Sequence, residues 1–248
     1  MTRPLEAQIA LVVGAGRGIG RAIAVAYAEA GAHVVVAART RSEIEALAAE
    51  IRSGGGRASS HVVDIADRAS VDALFEAVAQ EEGGLDILVA NAGMIGPTLE
   101  AVEVPPDEWE RVIHVNLIGT FTCMRAAVPH LRQRGGGKII VMGSGFGHRG
   151  MPGFSAYSAS KAAVVMLIRV MAQELRGDRI AVNEIVPGPV KTSISTTRGT
   201  IGAKSGREVV SNDWYKDPED VTGLALYLAG LPNHGPTGQS FKLLARDA

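Results

Sequence analysis

The chain has 248 residues, 46% of them apolar and 21% charged, which suits one large α/β domain or two small ones. Its formal net charge of −1 and pI near 6.6 argue against a surface built to coat nucleic acid or an anionic membrane. Residues 1–8 lack the apolar core of a signal peptide, and no apolar run reaches the roughly 18 to 20 residues of a bilayer span; a soluble, cytoplasmic protein is expected.

The run 9–13 (Ile-Ala-Leu-Val-Val) is too short for a helix and leads at once into Gly14-Ala15-Gly16-Arg17-Gly18-Ile19-Gly20. An alanine-rich helical pattern follows over 21–30. Strand, glycine turn and helix in this order suit a phosphate, because glycines let the backbone approach closely and a helix amino end offers free N–H groups. The spacing is Gly-x-x-x-Gly-x-Gly, a weak signal alone that gains weight from lying between strand and helix.

A second strand is predicted over 33–37, followed by Ala38, Arg39, Thr40 and Arg41. An acidic residue near this point binds a ribose 2′-hydroxyl in dinucleotide folds, and an arginine accommodates a 2′-phosphate. Arg39, with Arg17 in the glycine turn and no carboxylate at the strand end, favours NADP(H) over NAD(H). The alternative is that both arginines are solvated surface charges.

A helix is predicted over 42–52, closed by three glycines, and a third strand over 58–63 ends at Asp64. Asp64 and the backbone of Ile65 either meet an adenine at the sheet edge, or Asp64 caps the helix predicted over 67–82. A fourth strand, 86–90, leads to Asn91-Ala92-Gly93. These small residues let the turn pack on a cofactor, although Asn91 has a second reading as a brace for the sheet.

The stretch 105–134 reads as one long helix between Pro105-Pro106 and three glycines. Within it Cys123, the chain's one cysteine, excludes an intrachain disulfide and is expected as a buried thiol. The six histidines show no metal-ligand spacing, so no metal is expected. Asn116 needs partners for its amide. It is either a satisfied core group or the mark of a kink that holds a water near Lys161.

The fifth strand, 138–142, ends at Gly143-Ser144, and a helix over 155–175 presents Tyr157 and Lys161. Residues i and i+4 share a helix face. An ammonium beside a phenol favours the phenolate, so Tyr157 can exchange protons nearer neutral pH than its usual value of about 10. Ser144, at the carboxyl end of a parallel strand where such sheets bind ligands, can hydrogen-bond an oxygen held between itself and the tyrosine. Alone, the pair reads equally as an ordinary amphipathic spacing.

A sixth strand is predicted over 179–186 and breaks at Pro187-Gly188-Pro189-Val190-Lys191-Thr192, where Thr192 and the backbone of Val190 can bond a carboxamide. Periodicity fades beyond, and the stretch at about 190–213 reads as a substrate lid. Its cations, Lys191, Arg198, Lys204 and Arg207, attract an anionic substrate or carrier or are simply solvated. A helix over 217–229 and a strand over 239–244 complete a doubly wound parallel sheet with helices on both faces, in a single domain over 1–248.

In this order and spacing, the glycine turn, Asp64, Asn91-Ala92-Gly93, Asn116, Ser144, Tyr157-x-x-x-Lys161 and Pro187-Gly188 with Thr192 resemble the classical short-chain dehydrogenase/reductase family, over nearly the whole chain. The resemblance implies a single Rossmann-type α/β domain and an oxidoreductase that interconverts a small-molecule ketone and a secondary alcohol. It makes Tyr157 the general acid or base and Ser144 the group that polarises the substrate oxygen. Lys161 would lower the tyrosine pKa and bind the nicotinamide ribose, and Asn116 would complete a proton relay through water. Arg17 and Arg39 match the positions of the NADP-dependent subgroup. Homotetramers or homodimers on the helices around Asn116 and Tyr157 are usual in the family.

Two departures stand out. Val13 replaces a frequent threonine before the glycine turn, and the closing segment 237–246 lacks the usual aspartate and glycine pair, which bears on carboxyl-terminal packing. A narrower expectation is a 3-oxoacyl carrier-protein or CoA-thioester reductase; a remote one is a noncatalytic NADP(H) sensor. His148, Met151 and Phe154 are candidates to shape the substrate pocket, with His148 equally readable as an idle loop residue.

Overall fold

The computed structural model describes residues 3–192 and 215–244. Seven strands, β1 (Ile9–Val13), β2 (His33–Ala38), β3 (Arg57–Val62), β4 (Ile87–Ala90), β5 (Gly137–Met142), β6 (Ile180–Val186) and β7 (Ser240–Lys242), form one sheet. Their order is β3-β2-β1-β4-β5-β6-β7, and every pairing is parallel. The chain therefore winds outward from β1 in one direction and from β4 in the other. A crevice opens at the carboxyl ends of these two neighbours, where Val13 pairs with Ala90.

The central strands are apolar on both faces because helices cover both. On β1, Ile9, Leu11 and Val13 enter one core with α3 (Arg68–Glu82), α5 (Thr120–Gln133) and α6 (Ser155–Glu174). Ala10 and Val12 enter the other, with α1 (Gly18–Glu29), α2 (Arg41–Ser53) and α7 (Thr222–Gly230). This is the period-two alternation of a strand turned to two hydrophobic layers. Each fully buried leucine or isoleucine contributes roughly 1.5 to 3 kcal/mol.

The sequence alternation thus defines the doubly wound α/β fold, and the differences lie in how helices begin and break. The stretch expected as one helix is α4 (Pro106–Ile113), a π-helical turn (His114–Gly119) and α5. The wide turn lies where Asn116 bonds the Met94 backbone, a tertiary tie that periodicity does not reveal. The helix expected over 217–229 starts as a 3-10 turn, Pro218–Val221, before α7, and the strand expected over 239–244 is shortened to β7. Asp67, not Asp64, caps α3 by accepting from Ala69 N at 3.0 Å.

By length and composition two helical stretches, Pro106–Gln133 and Ser155–Glu174, could span a bilayer, a correction to the expectation that no run reaches that size. Here they face the sheet instead: Met124, Ala127, Leu131, Val164 and Ile168 are all core residues. Cys123 is buried as expected, and burial pushes its thiol up to about 12. Most of the expected lid lies outside the described residues.

Candidate active site

The crevice is a cavity of about 300 Å³ at the carboxyl edge of the sheet. Its floor is the turn from β1 into α1. Gly14 has φ +82 there, and a Cβ would lie 2.7 Å from the Ala92 backbone. No side chain fits, so the turn stays thin enough for a phosphate to approach. Gly20 is different in kind: it does not line the cavity. A Cβ on Gly20 would lie 2.2 Å from Gly14 O and 2.5 Å from Asn91 Nδ2, so it is a packing glycine inside α1. Asn91 Nδ2 donates to Gly14 O at 2.8 Å and thereby braces the turn, while the residue also lines the cavity.

Gly20→Ala is accordingly expected to break the Asn91 brace and to cost about 1 to 3 kcal/mol of stability. Thermal melts with a dinucleotide titration test this; an unchanged melting temperature together with unchanged affinity would contradict it.

The lining beside α1 and α2 includes Gly16, Arg17, Gly18, Ile19, Arg39 and Thr40. It also receives Glu43, from the first turn of α2, whose Oε2 would lie 2.4 Å from a Cβ on Gly16. Sequence reasoning missed this carboxylate because it sits four residues beyond Arg39, past the strand end where an acidic group was sought. The middle wall carries Asp64, Ile65, Asn91, Ala92 and Gly93. Asp64 Oδ1 accepts from Ala66 N at 3.0 Å, and Asp64 N donates to Ser70 Oγ at 3.1 Å, which holds the carboxylate at the edge.

The lining also includes Ser144, Tyr157, Lys161, Pro187, Gly188, Val190 and Thr192, and a Cβ on Gly18 would lie 3.1 Å from Thr192 Cγ2. Ser144 Oγ accepts from Phe146 N at 3.2 Å, so its hydroxyl proton can point elsewhere. The Phe146 ring packs edge-on against Tyr157, centroids 6.2 Å apart at 88°. Lys161 is buried, its Nζ donating to Met142 O at 2.7 Å and lying 5.9 Å from the centre of the Tyr157 ring. Burial pulls its pKa down to about 8, and the charge of Glu184 opposes that fall.

Asn116 is completely buried. Its Oδ1 accepts from Met94 N at 2.8 Å, and its Nδ2 donates to Met94 O at 2.8 Å and Ser160 Oγ at 3.1 Å. Asn116 is thus a satisfied core amide, and it lies inside a π-helical turn. Its amide hydrogens are fully used. Asn116 does not line the cavity, whereas Met94, Ile95 and Arg111, which sequence reasoning passed over, do.

The turn, the topological crevice and the Ser-Tyr-Lys end together fit a nicotinamide dinucleotide and define an oxidoreductase of that cofactor class. The short chain dehydrogenase family model matches residues 8–200, and the chain belongs to that family. It is 35% identical over 241 residues to a 3-oxoacyl-[acyl-carrier-protein] reductase of Synechocystis, covering 96% of each chain. NAD+-bound xylitol dehydrogenase superposes with a TM-score of 0.90 at 28% identity, over 97% of this chain and 98% of that one. A structure from Beutenbergia cavernae with bound NADP superposes with a TM-score of 0.85 at 34% identity, over 98% and 97%.

Proposed function

We propose that this oxidoreductase uses NADP(H) to interconvert a ketone and a secondary alcohol on a small molecule. The observation that supports the reading is that Ser144, Tyr157 and Lys161 line the same cleft as the glycine turn, with Lys161 Nζ 5.9 Å from the centre of the Tyr157 ring. When bound, the nicotinamide would supply the hydride for ketone reduction and accept it in alcohol oxidation. Ser144 orients and polarises the carbonyl oxygen, and Tyr157 gives that oxygen its proton during reduction or removes it during oxidation. Lys161, held against the Met142 carbonyl, keeps positive charge beside the phenol and favours proton release from it. Gly188, Val190 and Thr192 close the carboxamide side.

Arg17 and Arg39, which line the same cavity, support a 2′-phosphate and hence NADP(H). The test is NADPH consumption over a panel of 3-oxoacyl thioesters, vicinal diketones, cyclic ketones and keto sugars. No turnover with NADPH still bound would turn the reading toward a dinucleotide sensor. Similarity to the Synechocystis 3-oxoacyl-[acyl-carrier-protein] reductase favours a thioester ketone as one substrate class; faster reduction of acyl-carrier or CoA thioesters than of free ketones would bear this out.

We further infer a homo-oligomer. Ile118 in the π turn, Phe121 on α5, and Met166 and Val170 on α6 are large apolar residues left at 40 to 55% exposure, on the helices around Asn116 and Tyr157. Paired surfaces of this kind are worth covering with a second copy. Met166→Lys with Phe121→Lys is expected to shift the protein to smaller species in light scattering. A wild-type monomer would refute the inference.

A further inference from the structure

Among the described residues Glu184 is the one buried carboxylate, and the cofactor cleft does not use it. It stands in β6, an entirely buried strand. Strand parity turns it to the face of Ile180 and Val182, the core that α6 covers. A carboxylate so placed is costly unless charges and donors compensate it.

The compensation is specific. Glu184 Oε2 meets His148 Nε2 at 2.9 Å and accepts from the Ser240 hydroxyl on β7. His148 follows the short turn Gly145–Gly147 that begins at Ser144. Its backbone is exposed, but its side chain is only 19% so because the imidazole folds inward. Glu184 Oε1 has no hydrogen-bond partner. It lies 1.8 Å from where a Cβ on Gly143 would be. Residue 143 is glycine because the carboxylate fills its side-chain space, directly beneath the backbone that carries Ser144.

We propose that Glu184 is a positioning residue: with His148 it pins to β6 the Ser144 turn, whose Gly147 packs against Lys161 at the start of α6. Its buried charge also favours the ammonium form of Lys161. The proposal deepens the reductase reading and rests on it for its catalytic meaning. It departs from the idea of His148 as an idle loop histidine. The sign for Lys161 follows from its surroundings. Burial favours the neutral amine and Glu184 favours the cation, so loss of the carboxylate lowers the pH at which Lys161 gives up its proton. Other charged or titratable groups around the cleft are Tyr157 on the same helix, His148 on the Ser144 turn, Arg111 on α4, Asp64 after β3, Arg17, Arg39 and Glu43 beside the glycine turn, and Lys216 beside Gly188. Glu184→Gln leaves all of them in place.

The test compares wild type with Glu184→Gln by two readouts. The first is an NMR titration of the Lys161 Cε signal without cofactor, assigned by its loss in Lys161→Arg among the chain's six lysines. The midpoint is expected to fall in the variant; an unchanged midpoint overturns the charge role. This needs no turnover, so it stands apart from any failure of the reductase reading. The second, with an active ketone, is a fall in kcat of about tenfold with the KM for NADPH within about twofold, and an alkaline limb moved to lower pH. A limb that stays in place overturns the charge role.

Should Glu184→Gln fail to fold, His148→Ala tests the clamp. Amide hydrogen exchange at Phe146 and Gly147 is expected to quicken about tenfold. Wild-type exchange there would overturn it.

Discussion

Tyr157→Phe is expected to lower kcat for ketone reduction by about 10³-fold, within the 10² to 10⁴ range of a positioned general acid, while NADPH affinity changes by less than about twofold. The substitution removes one oxygen and keeps the ring. The edge-on packing of Phe146 at 6.2 Å and the placement of Lys161 5.9 Å from the ring centre are therefore preserved. What disappears is the proton donor at the end of the cleft shared with Ser144. Steady-state kinetics with a fluorescence titration of NADPH separates the two effects. Retained turnover would remove Tyr157 from the mechanism and leave Ser144 and water to protonate the alkoxide. Lost binding with lost turnover would instead mean that the phenol holds the cofactor.

The cleft was legible in the sequence where the chain itself breaks period. The glycine turn after 9–13, the small residues after β4 and the proline turn after β6 all interrupt apolar runs at one edge, and each contributes residues to the cavity lining. Tyr157 and Lys161 were legible because α6 is a regular helix, in which four residues make one turn. Illegible features depend on tertiary approach. Glu43 reaches Gly16 across two elements, Asn116 is tied to Met94 across 22 residues, and Glu184 meets His148 across 36. A charged residue inside an apolar strand was the one available signal for Glu184, since such a residue is buried only with partners. The 3-10 start of α7 was hidden for another reason: Asp217 and Asp220 cap one another's backbone, a local bond that the hydrophobic pattern does not encode.

Arg39→Asp is expected to lower the NADPH-to-NADH preference in kcat/KM by about 10²-fold. A hydrogen bond to a charged group contributes roughly 1.5 to 3 kcal/mol, and about 1.4 kcal/mol corresponds to tenfold. Arg39 is exposed, so screening keeps the effect toward the lower part of that range; the new carboxylate adds repulsion of the 2′-phosphate. Glu43 makes the experiment sharper. It lies in the same corner as Arg17 and Arg39, where a carboxylate opposes a phosphate but can accept from a ribose hydroxyl. Glu43→Gln is thus expected to move the preference the opposite way, by about threefold to tenfold toward NADPH. Opposite shifts in the two variants would establish a phosphate site formed by the arginines against a resident carboxylate. If Arg39→Asp changes nothing and Glu43→Gln weakens NADH alone, the corner reads a ribose hydroxyl through Glu43, and the cofactor is NAD(H).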